Sequence, residues 1–307
     1  HSFDWYFGES DVVKETDLVV SKAIDEKKVK KDDGALISTQ EVDPPILITK
    51  SDGSYLYLTT DLGTVLFREN KSSFDKYIYV VDSRQENHFK QLFKTVKHFG
   101  LSNSDFFHVG FGTINGSDNK PFKTRDGGVY KLNLLFEDIK EKLKKYNSDD
   151  QVLNALTNTV LTYSDLLPNR NQNYIFDVDK FTDINGKTGI YIQYAQVRAR
   201  KLLDSSTKAG SYNINYEINS EERNLLLLIT KFDYFFNLSL INMEPHHLAE
   251  YLFNLSQAFN SFYTNNKIFS DEIPIETQIN RIKIVEEFFN TIGLVFSCLG
   301  IEAVESM

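Results

Sequence analysis

The hydrophobic period of the sequence changes near residue 140, and this change limits the fold more than any other feature. Before it, short β-rich runs alternate with helical spacing, and turn residues such as Asp52-Gly53 separate them. The β-rich runs are residues 46–49, 54–60, 77–81 and 106–114. A helical pattern over 87–100 lies between the last two and ends at Gly100. Strand, helix and strand in this order predict a parallel sheet, so the first part is α/β.

The second part keeps helical spacing. Apolar residues recur at steps of three and four from Leu248 to Phe262 and again from Ile282 to Leu299. Residues 190–203 and 222–241 also show helical spacing. A polar, glycine-containing stretch over 171–189 connects them to the first part. Such stripes predict amphipathic helices packed as an all-α bundle, and we assign the stripes to the core without any chemistry.

Composition and charge exclude several classes of protein. With 307 residues, 41% of them hydrophobic and 25% charged, the chain is not a disordered one. Cys298 is the only cysteine, which excludes an internal disulfide and a cysteine zinc site and favours the cytoplasm. The longest purely apolar run, Leu225 to Ile229, is short, so we expect no segment that spans a membrane. The net charge is −9, so a nucleic acid would have to meet a local basic patch.

Three suggestive motifs do not meet the requirements of their chemistry. The stretch GFGTING (110–116) has its third glycine one residue late and leads into a turn, whereas a phosphate loop needs a helix start. The carboxylate-rich 177–189 lacks the glycine position of a calcium loop. His246 and His247 follow Pro245 at a helix start, where a surface pair is the ordinary explanation. We therefore predict no metal site.

A set of polar side chains stands at neighbouring strand ends. Tyr57 and Asp61 are four residues apart where a strand is expected to run into a helix, with Thr59 and Thr60 as cap candidates. Gln85 and His88 follow the next apolar strand, at the edge where open α/β sheets place ligands. A tyrosine, a carboxylate and an amide suit a planar cation. For Asp61 alone, a helix cap is the competing interpretation.

Six collinear motifs then resemble the carboxyl-terminal half of bacterial arginyl-tRNA synthetases, which are class I synthetases. They are DGSYLYLTTDLG, VVDSRQENHF, DNKPFKTRDGGVYKL, YSDLLPNRNQNYIFD, GKTGIYIQYAQVRARKL and LGIEAVESM. The resemblance implies a Rossmann-like, parallel-sheet catalytic part over 1–135, a connecting stem-contact region over 136–185 and an anticodon-binding helical domain over 186–307. It also implies a cytoplasmic and monomeric enzyme.

The resemblance assigns roles in the first part. It implies that Tyr57, Asp61 and Gln85 hold the arginine substrate, whose guanidinium a carboxylate can meet with two hydrogen bonds. It places His88 and Gly112 on the ATP side. Lys120-Pro-Phe-Lys123-Thr124 occupies the position of the KMSKS loop, so Lys123, with Lys120 and Arg125 in support, would stabilise the charge that spreads over the phosphates. ATP, with magnesium, is the implied co-substrate.

The resemblance assigns RNA contacts in the second part. It implies that Gln193, Tyr194 and Arg198 contact the anticodon region of tRNA(Arg), and that Asn169 and Arg170 face the tRNA stem. Packing inside the bundle is the equal alternative for Tyr194.

The HIGH-type motif of class I synthetases does not occur in the sequence, and His1 opens within a structured-looking stretch. We therefore expect a piece of a longer enzyme that does not form arginyl-adenylate by itself. The alternative is a tRNA-binding module or a paralogue that does not charge tRNA. An intact set of Tyr57, Asp61, Gln85, Lys120 and Lys123 favours the enzyme.

Overall fold

A computed structural model describes residues 3–72, 74–116, 120, 131–206 and 216–307. The chain divides into two compact units, the first ending at Phe111 and the second beginning at Gly112. The second unit takes in residues 112–135, which the sequence assigned to the catalytic part, because the helix Leu132–Leu143 packs on the helix Asp150–Leu166. The division at 135 and 185 concerns family domains and stays a prediction.

The first unit contains five strands and three α-helices among its described residues, with two short 3-10 helices at Glu9–Val12 and Ser83–Gln85. In chain order they are α1 (Val13–Asp25), β1 (Val29–Asp32), β2 (Ala35–Ser38), β3 (Leu47–Thr49), α2 (Tyr57–Lys71), β4 (Lys76–Asp82), α3 (Glu86–Phe99) and β5 (Asp105–Phe111). β1, β2 and β3 form an antiparallel sheet. β4 and β5 pair in parallel with α3 between them in the chain. This strand–helix–strand unit confirms the α/β prediction.

The core of the first unit lies between its helices and strands. Ile48, Leu62, Leu92 and Val96 are fully buried there. At Gly63, a Cβ atom would lie 2.8 Å from the backbone nitrogen of Thr16, so only glycine lets α1 and α2 approach this closely.

The predicted strand over 54–60 is wrong in its second half. Leu56 has extended backbone angles and α2 begins at Tyr57, so Thr59 and Thr60 lie inside the helix rather than at its cap. The Thr59 hydroxyl donates to the carbonyl of Ile48, and the Thr60 hydroxyl donates to that of Leu56. Helical spacing explains the difference, because Leu58, Leu62 and Val65 all point into the core.

The second unit is mainly helical. Its described elements are β6 (Ile114–Asn115), α4 (Leu132–Leu143), α5 (Asp150–Leu166), β7 (Tyr174–Ile175), α6 (Val178–Phe181), α7 (Gly189–Asp204), α8 (Ser220–Ile229), α9 (Phe232–Asn242), α10 (His246–Asn265) and α11 (Ile275–Leu299). α5, α7, α10 and α11 share one core, in which the rings of Phe259 and Phe288 stack with centroids 4.0 Å apart. The predicted stripes of α10 and α11 are thus confirmed as buried bundle faces, whereas α9, in the predicted helical region 222–241, has no buried residue.

One stretch departs from the expected absence of a membrane-spanning segment. By length and composition, Ser220–Asn242 is apolar enough to cross a membrane, with a mean hydropathy of 1.3, and 6% of the tested window is buried. In the structure it is two helices, α8 and α9, divided at Thr230 and Lys231. A single segment of this kind is weak support for a span, but the expectation of none is not upheld.

Candidate functional sites

Three of the polar side chains selected from the sequence meet between α2 and α3. Tyr57 and Asp61 lie one turn apart on α2 and therefore share a face. His88, on α3, places Nε2 2.6 Å from Oδ2 of Asp61, and its ring centroid lies 5.6 Å from that of Tyr57. Both side chains of the His88–Asp61 pair are about a quarter exposed. The Asp61 carboxylate is therefore held in place while part of it still faces solvent.

Gln85 is reached through a short turn that follows β4. Asp82 begins this turn by accepting hydrogen bonds from the backbone N–H and the Nε of Arg84, at 2.8 and 2.9 Å. The hydrogen bonds from Arg84 lower the pKa of Asp82 to about 2. Gln85 closes the turn with an exposed side chain, immediately before the first residue of α3. Gln85 and His88 thus follow the carboxyl end of β4, as predicted.

The residues assigned to ATP are described in part. Lys123 and Arg125 lie outside the described residues. Lys120 is exposed, and its carbonyl accepts from the N–H of Gly116. Gly112 donates its N–H to the carbonyl of Arg170, and a Cβ atom at Gly112 would lie 2.5 Å from the carbonyl oxygen of Gln172. Close backbone packing therefore accounts for this glycine, and its role toward ATP stays a prediction.

A pocket opens in the helical unit beside α7. Its volume is about 280 Å³, and its lining includes Tyr194, Arg198, Lys201, Tyr263 and Met307. The guanidinium of Arg198 lies between two tyrosine rings, 4.4 Å from the centroid of Tyr194 and 4.3 Å from that of Tyr263. Aromatic faces beside fixed cations are the usual surface for an unstacked nucleobase and its phosphate.

Two hydrogen bonds fix the guanidinium in that pocket. Arg198 Nη2 donates to the hydroxyl of Tyr194 at 2.8 Å, and Nη1 donates to Oδ1 of Asn260 at 2.7 Å. The half-buried Tyr194 lines the pocket, whereas its neighbour Ala195 is fully buried in the bundle core. Packing therefore explains Ala195, and the role of Tyr194 toward RNA stays a prediction.

Gln193 does not fit the RNA role that the resemblance implied. Its side chain is fully buried. The amide nitrogen donates to Thr159 Oγ1 at 2.9 Å and to the carbonyl of Glu302 at 2.6 Å, and the amide oxygen accepts from the N–H of Val304. The residue fixes the chain around 302–304 against the bundle, so it is not available to RNA.

Asn169 and Arg170 form a structured turn after α5. Asn169 Oδ1 accepts from the N–H of Asn171, and Arg170 Nε donates to the carbonyl of Met243 at 3.0 Å. The turn carries a polar surface, and its contact with a tRNA stem stays a prediction.

The sequence analysis missed Tyr263 and Asn260. Both lie on α10, and both were treated as parts of a helix that only packs. Their spacing of three residues puts them on one face, beside rather than within the apolar stripe. A search for polar and aromatic residues flanking the stripe could have found them.

Comparison with known proteins gives two family matches, which divide the chain between residues 178 and 192. Residues 2–178 match the family described as tRNA synthetases class I (R), catalytic domain, and residues 192–307 match the DALR anticodon binding domain. The arginine–tRNA ligase of Alkaliphilus oremlandii is 36% identical over 325 residues, covering 99% of this chain and 55% of that protein. The one from Francisella tularensis is 36% identical, covering 86% and 48%.

Solved structures give the same result. The arginyl-tRNA synthetase of Plasmodium falciparum aligns with a TM-score of 0.81 and 26% identity, covering 99% of this chain and 54% of that one. The Thermus thermophilus enzyme aligns with a TM-score of 0.83 at 17% identity, covering 97% and 59%, which supports the fold alone.

These findings define a class I aminoacyl-tRNA synthetase catalytic part joined to an anticodon-binding domain. The chain belongs to the arginyl-tRNA synthetase family, and it spans about half the length of the curated relatives that it matches.

Proposed function

We propose that this chain supplies the arginine pocket and the anticodon-reading domain of an arginine–tRNA ligase. The reaction joins ATP and L-arginine to arginyl-adenylate with release of pyrophosphate, and then transfers arginine to tRNA(Arg) with release of AMP. The observation that carries the proposal is the meeting of Tyr57, Asp61 and His88 between α2 and α3, in a chain of this family.

The Asp61 carboxylate binds the guanidinium of the substrate. An arginine side chain offers five N–H donors in a fixed plane, and a carboxylate can accept two of them in parallel. The bond from His88 reaches only Oδ2, so Oδ1 keeps its accepting capacity. Tyr57, which is 64% exposed, supplies a ring face beside the carboxylate, and Gln85 adds an amide from the adjoining turn. A lysine substrate could not reproduce this planar pairing.

The residues assigned to ATP are His88 in the first unit and Gly112 in the second, and magnesium would neutralise part of the phosphate charge. Lys123, supported by Lys120 and Arg125, stabilises the negative charge that develops as the arginine carboxylate attacks the α-phosphate. Ammonium and guanidinium groups act there by electrostatic stabilisation, which is the main contribution of protein groups to phosphoryl chemistry. We further propose that the enzyme is a cytoplasmic monomer.

tRNA(Arg) binds through the helical unit. An unstacked anticodon base enters the pocket beside Arg198, whose guanidinium already lies between the rings of Tyr194 and Tyr263, and Lys201 meets the phosphate backbone. Asn169 and Arg170 contact the stem. Because the chain is acidic overall, this local cationic pocket, rather than net charge, provides the attraction.

The arginine pocket is tested by Asp61→Asn in the full-length enzyme that contains this chain. The variant keeps the shape but loses the charge that pairs with the guanidinium. We expect the KM for arginine in ATP–pyrophosphate exchange to rise by about 10- to 100-fold, as for a charged hydrogen bond of about 1.5–3 kcal/mol.

Asp32→Asn, an exposed change on β1, is the matched control and should leave arginine kinetics unchanged. Lys123→Ala should instead lower the rate of activation with little effect on the KM for arginine. Unchanged arginine kinetics in Asp61→Asn would refute the pocket assignment.

Binding of tRNA without any charging by the full-length protein would favour the alternative, a module that does not ligate arginine.

A further inference from the structure

Three potential metal ligands converge where α9 meets α10, in a place that the proposed function does not use. Glu244, His246 and His247 are all half-buried, and one ligand atom from each lies within 4.8 Å of the other two. The sequence analysis treated the two histidines as a surface pair. The structure instead joins them to a carboxylate in a partly enclosed corner.

The backbone of this corner is fixed on both sides. Met243 ends α9 in a left-handed conformation with φ of 53°, and the N–H of Glu244 returns to the carbonyl of Ser239 at 2.9 Å. Pro245 then begins α10, and Arg170 Nε donates to the carbonyl of Met243. The three side chains therefore project from a rigid turn, which reduces the entropy lost when they bind a common ligand.

Only part of the cluster is satisfied by hydrogen bonds within it, because His247 and Glu244 are bonded to each other whereas one nitrogen of His246 is not. Nε2 of His247 lies 3.1 Å from Oε2 of Glu244. Nδ1 of His246 is buried and has no hydrogen-bond partner among the residues that the structure describes. The two imidazole rings lie 4.0 Å apart, at 36° to each other. A buried polar atom without a partner is costly, and a bound ion would remove that cost.

We propose that Glu244, His246 and His247 bind a single divalent cation of the kind that imidazole prefers, with Zn²⁺ as the representative ion. Two histidines and one carboxylate form a common ligand set for zinc, and water completes the coordination.

The charges around the cluster decide how strongly it can bind a cation. The start of α10 and the guanidinium of Arg170 disfavour a cation. The carboxylates of Glu244 and Glu250 oppose them, although Glu250 is already paired with Lys187 at 2.6 Å. Burial, with the neighbouring His247, lowers the pKa of His246. These opposing charges predict moderate affinity.

The test is titration of the purified 307-residue chain with Zn²⁺ alone, by calorimetry and by competition with a chromophoric chelator. We expect one ion per chain. Co²⁺ bound at the same site should show the intense visible absorption of tetrahedral coordination. Glu244→Gln, His246→Ala and His247→Ala should each weaken binding by at least about tenfold, because even outer-shell partners of a metal are worth about 10- to 100-fold.

His98→Ala is the matched control. His98 is a histidine of the first unit that is hydrogen-bonded to Thr39. Its loss should leave the affinity for Zn²⁺ unchanged. Glu244→Gln keeps the size of the side chain and so guards against a folding defect, which circular dichroism would detect. The proposal fails if the chain binds no Zn²⁺, or if Zn²⁺ binds equally well to properly folded Glu244→Gln and His246→Ala variants.

Discussion

The two units of the chain differ in how far they bury their apolar residues. In the helical unit, the stripes of α10 and α11 are fully buried against each other, as with Phe259 and Phe288. In the first unit, the parallel strand β4 leaves Ile78 and Val80 51% and 63% exposed. Parallel sheets are normally covered on both faces. The stripes of α10 and α11 are thus satisfied within their own unit, whereas the β4–β5 pair leaves apolar side chains exposed, as does α9 of the second unit.

The largest expected effect comes from the closed core of the bundle. Phe288→Ala removes a ring that is fully buried and stacked on Phe259. We expect the free energy of unfolding of the helical unit to fall by about 3–5 kcal/mol, from lost transfer energy and the cavity that remains. Chemical denaturation followed by far-ultraviolet circular dichroism measures it. A loss below about 1 kcal/mol would mean that the bundle is not closed as described.

A buried ion pair gives a second test of how tightly the helical unit is packed. Glu222 is fully buried, and its Oε1 lies 2.8 Å from Nε of Arg281. Arg281→Met leaves the carboxylate without its charged partner, so we expect a loss of about 3–5 kcal/mol. The double variant Glu222→Gln with Arg281→Met removes both charges and should lose clearly less. Equal losses in the single and the double variant, in the same denaturation experiment, would contradict an effect of the unpaired charge.

The smallest expected effect lies on the open face of the first unit. Ile78→Thr and Val80→Thr replace exposed apolar side chains with a polar one. Threonine keeps the β-branching that suits a strand. We expect the stability of this chain to change by no more than about 0.5 kcal/mol and its solubility to rise. Leu62→Ala, at a buried position of the same unit, is the control and should cost about 2–5 kcal/mol. A large loss at Ile78 would show that its face is already covered.

The same contrast explains what the sequence could predict. The long helices α7, α10 and α11 follow from apolar spacing, because each stripe packs within its own unit. The rule that ligands gather at strand ends predicts the place of His88 after β4, but Asp61 lies inside α2, after a strand of a different sheet, and meets His88 because α2 and α3 pack together. The start of α2 could not be predicted, because the short run over 54–60 fits both strand and helix periods.

Contacts between residues distant in the sequence account for the remaining errors. Gln193 is bonded to Glu302 and Val304, more than a hundred positions away, and no local pattern shows that its amide is already used. Tyr263 joins the pocket only because α7 and α10 pack together. Residue type and spacing give no sign of the Gln193 contacts, and they mark Tyr263 only as an aromatic residue beside the apolar stripe of α10.

The central claim is that the helical unit reads tRNA through the pocket around Arg198. Fluorescence anisotropy of labelled tRNA(Arg) and of a non-cognate tRNA, titrated with this chain at one fixed salt concentration, tests it most directly. We predict preference for tRNA(Arg), a loss of about 1–3 kcal/mol of binding free energy in Tyr263→Ala from missing base stacking, and no change in Ile78→Thr. Equal binding of the two tRNAs, or unchanged affinity in Tyr263→Ala, would contradict the account.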